Sequence, residues 1–354
     1  MSNIKTNRRI VLAARPDGRP GPANFRLESV EVPEPGPGEI VTRNIWLSLA
    51  PYMFWRMRPE KSYAPPVGIG EVMVGGTVGE VVSSNHPNFK PGDIALGLGN
   101  WQEYSVLSGA AAQKIDPAWG PSSLSLNVLG GNGLTAYAGL LDIGKPKSGE
   151  TVVVAAASGG VGSLVGQYAR IKGAHAVGIA GGSEKCTFVV GELGFDACID
   201  HHAPDFAAQL KAACPDGIDV YFENVGGPVF EGVFPLLNDF ARIPVCGLIS
   251  QYTATQVPDG PNQVPELMRA ILSKRLSFRG FISSDYNYMR EEFFANTLQW
   301  LREGKLKFRE DITEGLENAP QALMSMLDGK NFGKVLVRVR AVSDQSGSYP
   351  AAVK

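Results

Sequence analysis

From about residue 128 the chain alternates apolar runs with amphipathic ones at a steady pace. TVVVAAA (151–157) is continuously apolar, as a strand covered on both faces must be, and GVGSLVGQYARIKGA (160–174) after it spaces its apolar residues for a helix. The rhythm continues as HAVGIAG (strand), SEKCTFVVGELG (helix), FDACID (strand), PDFAAQLKAAC (helix) and GIDVYFENV (strand). GGPVFEGVFPLL (helix), FARIPVCGLIS (strand), NQVPELMRAILSKR (helix) and LSFRGFI (strand) complete it. Such a series predicts right-handed βαβ units and an α/β, doubly wound parallel sheet covered by helices on both faces.

Upstream the pattern differs. Residues 24–110 carry dense β-branched and aromatic stretches, EIVTRNIWLSL and VMVGGTVGEVVSS, separated by the turn-forming PEPGPGE and HPNFKPGD. A barrel-like or sandwich-like β domain is expected there. After a helix near 319–328, KNFGKVLVRVRAV (330–342) returns to strand alternation and is expected to rejoin that domain. The predicted division is therefore 1–127 with 311–354 for the discontinuous β-rich domain and 128–310 for the α/β domain. The tail SDQSGSYPAAVK is expected to pack loosely.

Composition narrows the function classes. A length of 354 residues favours two domains, and 44% apolar with 19% charged residues is ordinary for a globular chain. A net charge of −2 gives no reason to expect nucleic acid or an anionic membrane as partner. No run approaches the ~20 apolar residues of a membrane span, and the N-terminal apolar stretch is short for a signal peptide. Cys186, Cys198, Cys214 and Cys246 form no CxxC pair, so reduced thiols and a cytoplasmic location are expected.

AAASGGVG (155–162) removes nearly every side chain where the first predicted strand turns into its helix. Ala157, Gly159 and Gly162 fit AxGxxG, a variant of the dinucleotide fingerprint. Small residues allow the tight turn and let a pyrophosphate approach the backbone N–H groups at the positive end of the helix. With a strand before it, a helix after it and further βα units downstream, the motif predicts a Rossmann domain. Where an NAD site ends its second strand with an acid, this chain has Gly181 and Gly182, followed by Lys185. A bare slot beside an ammonium favours NADP. The alternative makes Lys185 a solvated helix residue, with Glu184 pointing outward.

Metal ligands are scarce. The first 150 residues contain no Cys and one His, His86, so no zinc site is expected there, and His201 with His202 reads as a surface loop. Without a Lewis acid, hydride addition to an activated C=C bond needs less help than reduction of a simple carbonyl.

The ordered set APYMFWRM, SYAPPV, GNWQEY, GLTAYAGLLDIG, AAASGGVGSLVGQYARIKGA, GIAGGSEKC, YFENVGG, CGLISQY, RGFI and NFGKVLVRV spans residues 50–340. It resembles the zinc-independent, NADPH-dependent branch of the medium-chain dehydrogenases/reductases, which includes prostaglandin reductases, plant alkenal double-bond reductases and bacterial curcumin reductases. The resemblance implies a GroES-like barrel for the β-rich catalytic domain and NADPH-dependent reduction of α,β-unsaturated ketones or aldehydes. It implies Gly159, Gly160, Val161, Gly162 and Ser163 at the pyrophosphate, Lys185 and His201 at the 2′-phosphate end, and Asn224 in the cofactor cleft. Cys246, Gly247, Ser250, Phe281, Ile282 and Asn331 would line the nicotinamide end. Tyr252 is the implied donor to the substrate carbonyl, with pocket-wall packing as its alternative. Tyr52, Tyr63, Trp101, Tyr286 and Tyr288 are candidate pocket walls or, equally, core.

Two departures stand out. His201 replaces a tyrosine usual in the family, and the usual DPYMRGRM is here APYMFWRM, with Ala50, Phe54 and Trp55 new. The second change predicts a larger, more apolar or aromatic acceptor. A quinone reductase or zinc-free alcohol dehydrogenase, and a non-catalytic NADPH-binding protein, remain the alternative functions. A homodimer is expected, formed by covering the edge strand LSFRGFI.

Overall fold

The computed structural model describes residues 6–60, 62–254 and 262–340; the tail from residue 343 lies outside them. The chain divides into two units, one holding the residues up to Asn127 and those from Glu310, the other Val128–Arg309.

In the first unit β1 (Thr6–Leu12) and β2 (Phe25–Glu31) form an antiparallel ribbon. The remaining strands make a seven-stranded sheet with β3 (Glu39–Ser48) as its hub. β3 pairs antiparallel with β4 (Thr77–Ser84), with β6 (Tyr104–Ser108) and with β15 (Lys334–Arg338). β5 (Ile94–Gly97) and β7 (Gln113–Lys114) extend the sheet beyond β4, while β14 (Glu310–Glu314) adds parallel to β15. The late β15 thus completes a sheet begun by β3. Two short helices accompany it, α1 (Tyr52–Met57) and α9 (Ala319–Leu327). Neither β1 nor α1 is anticipated by the sequence reading.

The second unit is built on β8 (Thr151–Ala155), β9 (His175–Ala180), β10 (Ala197–Asp200), β11 (Ile218–Phe222), β12 (Leu237–Val245) and β13 (Ser277–Gly280). All pair in parallel in the order β10-β9-β8-β11-β12-β13. The chain order reverses beside β8, and ligands of such sheets bind in the crevice outside the carboxyl ends at that point. The central strands are buried on both faces, which is why β8 reads as an unbroken apolar run.

The covering helices are α2 (Gly131–Ala138), α3 (Gly162–Ile171), α4 (Ser183–Gly191), α5 (Phe206–Ala213), α6 (Pro228–Val233), α7 (Val264–Lys274) and α8 (Arg290–Arg302). α8 is tied to α2 and α3 by a partly buried polar network. Tyr137 donates to Glu292 (2.6 Å), Asn296 donates to Tyr137 (2.7 Å), and the Tyr168 and Thr297 hydroxyls meet at 3.2 Å.

Lys334, at the start of β15, is 3% exposed. Its ammonium nitrogen donates to the Leu49 carbonyl at 2.6 Å, just ahead of α1. Burial pulls its pKa down to about 7, against the opposing pull of Glu310. Unfolding restores its usual value of 10.5, so between about pH 7 and pH 10 the unfolded chain binds more protons and this group makes stability rise with pH. Lys334→Met is expected to flatten that rise in urea titrations at about pH 7.5 and about pH 9.5. An unchanged pH slope would contradict the assignment.

Candidate active site

The strand-to-helix turn after β8 is held by main chain against main chain. Ala156 adopts φ +53°, a left-handed conformation uncommon for a residue with a Cβ. Gly159 N–H donates to Ala156 O (2.9 Å) and Ser163 N–H to Gly159 O (3.0 Å). A Cβ on Gly162 would stand 2.3 Å from Ala156 O and 3.1 Å from Ala155 O, so nothing larger than glycine fits while the backbone stays in place. Gly159, Gly160 and Val161 are partly exposed on the turn, whereas Gly162 and Ser163 are buried. The helix that follows has no side-chain cap at its N-terminus, the end whose orphan donors suit an anion.

The neighbouring carboxyl ends are laced to this turn. Asn224, just past β11, donates its Nδ2 to Ala155 O at 2.8 Å, so β8 and β11 are tied where the crevice opens. Before it stands Glu223, 3% exposed, whose Oε1 accepts from Val225 N–H (2.6 Å), Gly226 N–H (2.8 Å) and the Tyr221 hydroxyl (3.0 Å). Its backbone carbonyl takes N–H bonds from Cys246 (2.9 Å) and Gly247 (3.1 Å). Burial raises the Glu223 pKa while the surrounding N–H donors oppose the rise. Glu223 is not among the predicted residues, yet one side chain shapes both loops.

The Glu223-organised loops bring Asn224, Cys246, Gly247 and Ser250 into one stretch. Ser250 N–H and hydroxyl both donate to Val225 O, at 3.1 and 2.5 Å. Burial first, then the Glu223 charge, pushes the Cys246 thiol up to about 12, so it is a neutral thiol here. The Tyr252 hydroxyl lies 3.1 Å from where a Cβ on Gly247 would sit, so that glycine leaves the room it occupies. Phe281 packs edge-on against Phe222 and Tyr286, with Ile282 next to it. Asn331 belongs to the first unit, where its Nδ2 donates to Gly333 O at 3.2 Å.

The end of β9 gathers the basic side chains. A Cβ on Gly181 would come within 3.1 Å of His201 Nε2 and 3.0 Å of His202 Cε1. The two imidazoles lie against each other, tilted by 56° with centroids 4.0 Å apart. Burial first, then the His202 and Lys185 charges, depress the His201 pKa, with Asp200 opposing. Lys185 therefore lies close enough for its charge to be felt at His201. Asp200 accepts from Gly182 N–H (2.8 Å) and His202 N–H (3.0 Å), and these bonds hold it below the usual carboxylate range. The acid at this corner serves the loop's own backbone.

This arrangement fits a phosphorylated dinucleotide: an uncapped helix end over bare main chain, a glycine slot beside it, and a lysine with two imidazoles at the slot's rim. Comparison with known proteins agrees in kind. Residues 8–115 match the family described as N-terminal domain of oxidoreductase, and residues 160–303 that described as zinc-binding dehydrogenase. The chain is 56% identical over 339 residues to the NADPH-dependent curcumin reductase of Escherichia coli (strain K12), covering 94% of this chain and 97% of that protein. The chain belongs to the medium-chain dehydrogenase/reductase family.

Other members of this family are also similar. The 2-alkenal reductase (NADP(+)-dependent) of Nicotiana tabacum is 37% identical, with 96% and 99% of the two chains covered. The crystal structure of CurA in complex with NADPH from Vibrio vulnificus matches with a TM-score of 0.92 and 52% identity, covering 95% and 100%. Although one matching description names zinc, among the described residues no group of three His, Cys, Asp or Glu side chains stands close enough to hold a metal.

For this medium-chain dehydrogenase/reductase two of the candidate pocket walls are buried aromatic residues. Trp101 is 0% exposed and stacks on Phe25 (5.8 Å, 3°), so it is core of the first unit. Tyr286 is 3% exposed between Phe281 and Tyr288, so it too is core, while Tyr288 is exposed. Aromatic residues are large enough to fill either role, and only packing decides. Tyr63 is 56% exposed and Tyr52 partly buried on α1. Of the changed segment, Phe54 is buried core and Trp55 lies under the Arg58 guanidinium at 5.4 Å. Phe54 therefore has no free face to offer an acceptor.

Because one oxygen of Glu223 accepts from Val225 N–H, Gly226 N–H and the Tyr221 hydroxyl, Glu223→Gln keeps these bonds and should change unfolding free energy by less than about 1 kcal/mol. Glu223→Ala strands two backbone N–H groups and should cost about 2–5 kcal/mol in chemical denaturation. Equal losses for both variants would contradict this account of the loops.

Proposed function

We propose that this chain reduces the C=C bond of α,β-unsaturated ketones and aldehydes with NADPH, without metal. The observation that carries the reading is the corner of Gly181, Lys185 and His201 beside an uncapped helix end. The printed activities of the curcumin and 2-alkenal reductases support the acceptor class. When bound, NADPH supplies the hydride that the acceptor's β-carbon receives.

The chain's own residues bind and orient. Gly159 to Ser163 present main chain to the pyrophosphate, and Lys185 with His201 faces the 2′-phosphate. Asn224, Cys246, Gly247, Ser250, Phe281, Ile282 and Asn331 serve the nicotinamide end. Tyr252, whose hydroxyl sits over Gly247, donates to the acceptor's carbonyl oxygen, where negative charge gathers as hydride arrives. Tyr52 and Tyr63 form part of the acceptor pocket. The protein works in the cytoplasm, in keeping with its free cysteines. It works as a homodimer, in which the sheet-terminal β13 and the exposed Val264, Met268 and Leu272 of α7 are covered by a second copy. Light scattering that finds only monomer would contradict the last point.

The reading is tested by following NADPH oxidation with an enone, a quinone and a simple ketone in parallel. The enone should be preferred, and Tyr252→Phe should lower kcat by about 100-fold with little change in KM for NADPH. Faster turnover of the quinone or the ketone would overturn the reading. Lys185→Ala should weaken NADPH binding roughly 10- to 150-fold while leaving NADH nearly unaffected. Equal weakening of both coenzymes would remove Lys185 from the phosphate site.

A further inference from the structure

Two thiols stand directly behind the Lys185 corner. Cys186 lies in the first turn of α4, and Cys198 lies in β10, against which α4 packs. The two sulfur atoms hydrogen-bond to each other, neither is in a disulfide, and both residues are partly exposed. The sulfur of Cys198 fills space left by Gly178, its register partner in β9: a Cβ there would come within 3.2 Å of Cys198 Sγ. The same Cβ would meet Ala157 Cβ at 2.8 Å and Val189 Cγ1 at 3.0 Å. Cys198 therefore lies between the nucleotide turn at Ala157 and α4 at Val189, the residue three positions after Cys186 on the same helix. The partner thiol's hydrogen bond lowers the Cys186 pKa, whereas the Cys198 pKa is raised. Cys186 is accordingly the thiol that ionises first and attacks.

We propose that Cys186 and Cys198 form a redox modification site, in which a hydroperoxide joins them in a disulfide that shifts the first turn of α4 and weakens NADPH binding. The Cys186 thiolate attacks the outer peroxide oxygen, the O–O bond breaks, and the departing alkoxide takes a proton to leave as alcohol or water. Cys186 is now a sulfenic acid. The Cys198 sulfur then attacks the Cys186 sulfur, forming the S–S bond and releasing water, so two thiols are oxidised as one peroxide is reduced. A covalent S–S bond is far shorter than an S···S hydrogen-bond contact, so closing it draws the first turn of α4, with the adjacent Lys185, toward β10. The effect on coenzyme rests on the reading of Lys185 and His201 as the 2′-phosphate site; the sulfur chemistry does not.

The test treats the full-length protein with hydrogen peroxide, then reads intact mass, non-reduced peptide maps, and NADPH and NADH affinity before and after dithiothreitol. Expected are the loss of two hydrogens, a Cys186–Cys198 cross-linked peptide, and an NADPH Kd raised at least about tenfold and restored by dithiothreitol, with NADH little changed. Cys198→Ser should instead accumulate a dimedone-trappable sulfenic acid at Cys186, and Cys186→Ser should keep its NADPH affinity through the same treatment. Absence of the cross-link, or a cross-linked protein with unchanged NADPH Kd, would overturn the proposal. A reduced protein that never prefers NADPH to NADH would overturn the coenzyme reading instead, and the mass measurement separates the two failures.

Discussion

Gly162 stands so close to the main chain of Ala156 that an added Cβ would lie 2.3 Å from a carbonyl oxygen, and much of the nucleotide-binding unit is arranged around that approach. A helix can begin this tightly behind a strand only where side chains are absent. The strain is visible in Ala156, which adopts positive φ. The result is a helix N-terminus with no side-chain cap directly behind the end of β8. Neighbouring loops are tied to the same place: Asn224 bonds the carbonyl of Ala155, and a Cβ on Gly178 would press on Ala157. A side chain added at the turn would displace several elements together.

Charge is distributed with the same economy of contact. Carboxylates near the crevice are spent on the loops' own N–H groups, Asp200 on Gly182 and His202, Glu223 on Val225 and Gly226. At the end of β9 these loops bring Lys185 and the paired imidazoles together. An anionic group entering there meets the Lys185 ammonium beside the two imidazoles, while the Asp200 carboxylate is engaged by Gly182 and His202 N–H groups, and charge-assisted hydrogen bonds are the strong ones.

Much of the second unit is legible in the sequence because period and punctuation agree. Each βα repeat carries its own apolar run, and the central strands are buried on both faces. α8 escaped notice although Phe293, Thr297, Trp300 and Leu301 bury one face at helical spacing; its other positions are strongly polar, and its partner Tyr137 is remote in sequence. β1 was obscured by TNRRIVL, whose two arginines pair with Glu103 and Glu28 across strands the sequence does not reveal. At the site, glycines were readable because they mark missing side chains. Glu223 was not, since an acid at a strand end gives no local sign that its carboxylate will be buried among backbone donors. Trp101 and Tyr286 show the converse: composition names an aromatic residue, and only three-dimensional packing says whether it faces ligand or core.

The central claim is that this turn and its basic corner bind a 2′-phosphorylated dinucleotide through bare main chain. Calorimetric titration of the unmodified protein with NADPH and with NADH, in the absence of any acceptor, tests it most directly. The account predicts one-to-one binding of NADPH at least about tenfold tighter than NADH, with the difference shrinking as salt is raised. Equal affinities, or no heat with either coenzyme, would contradict it.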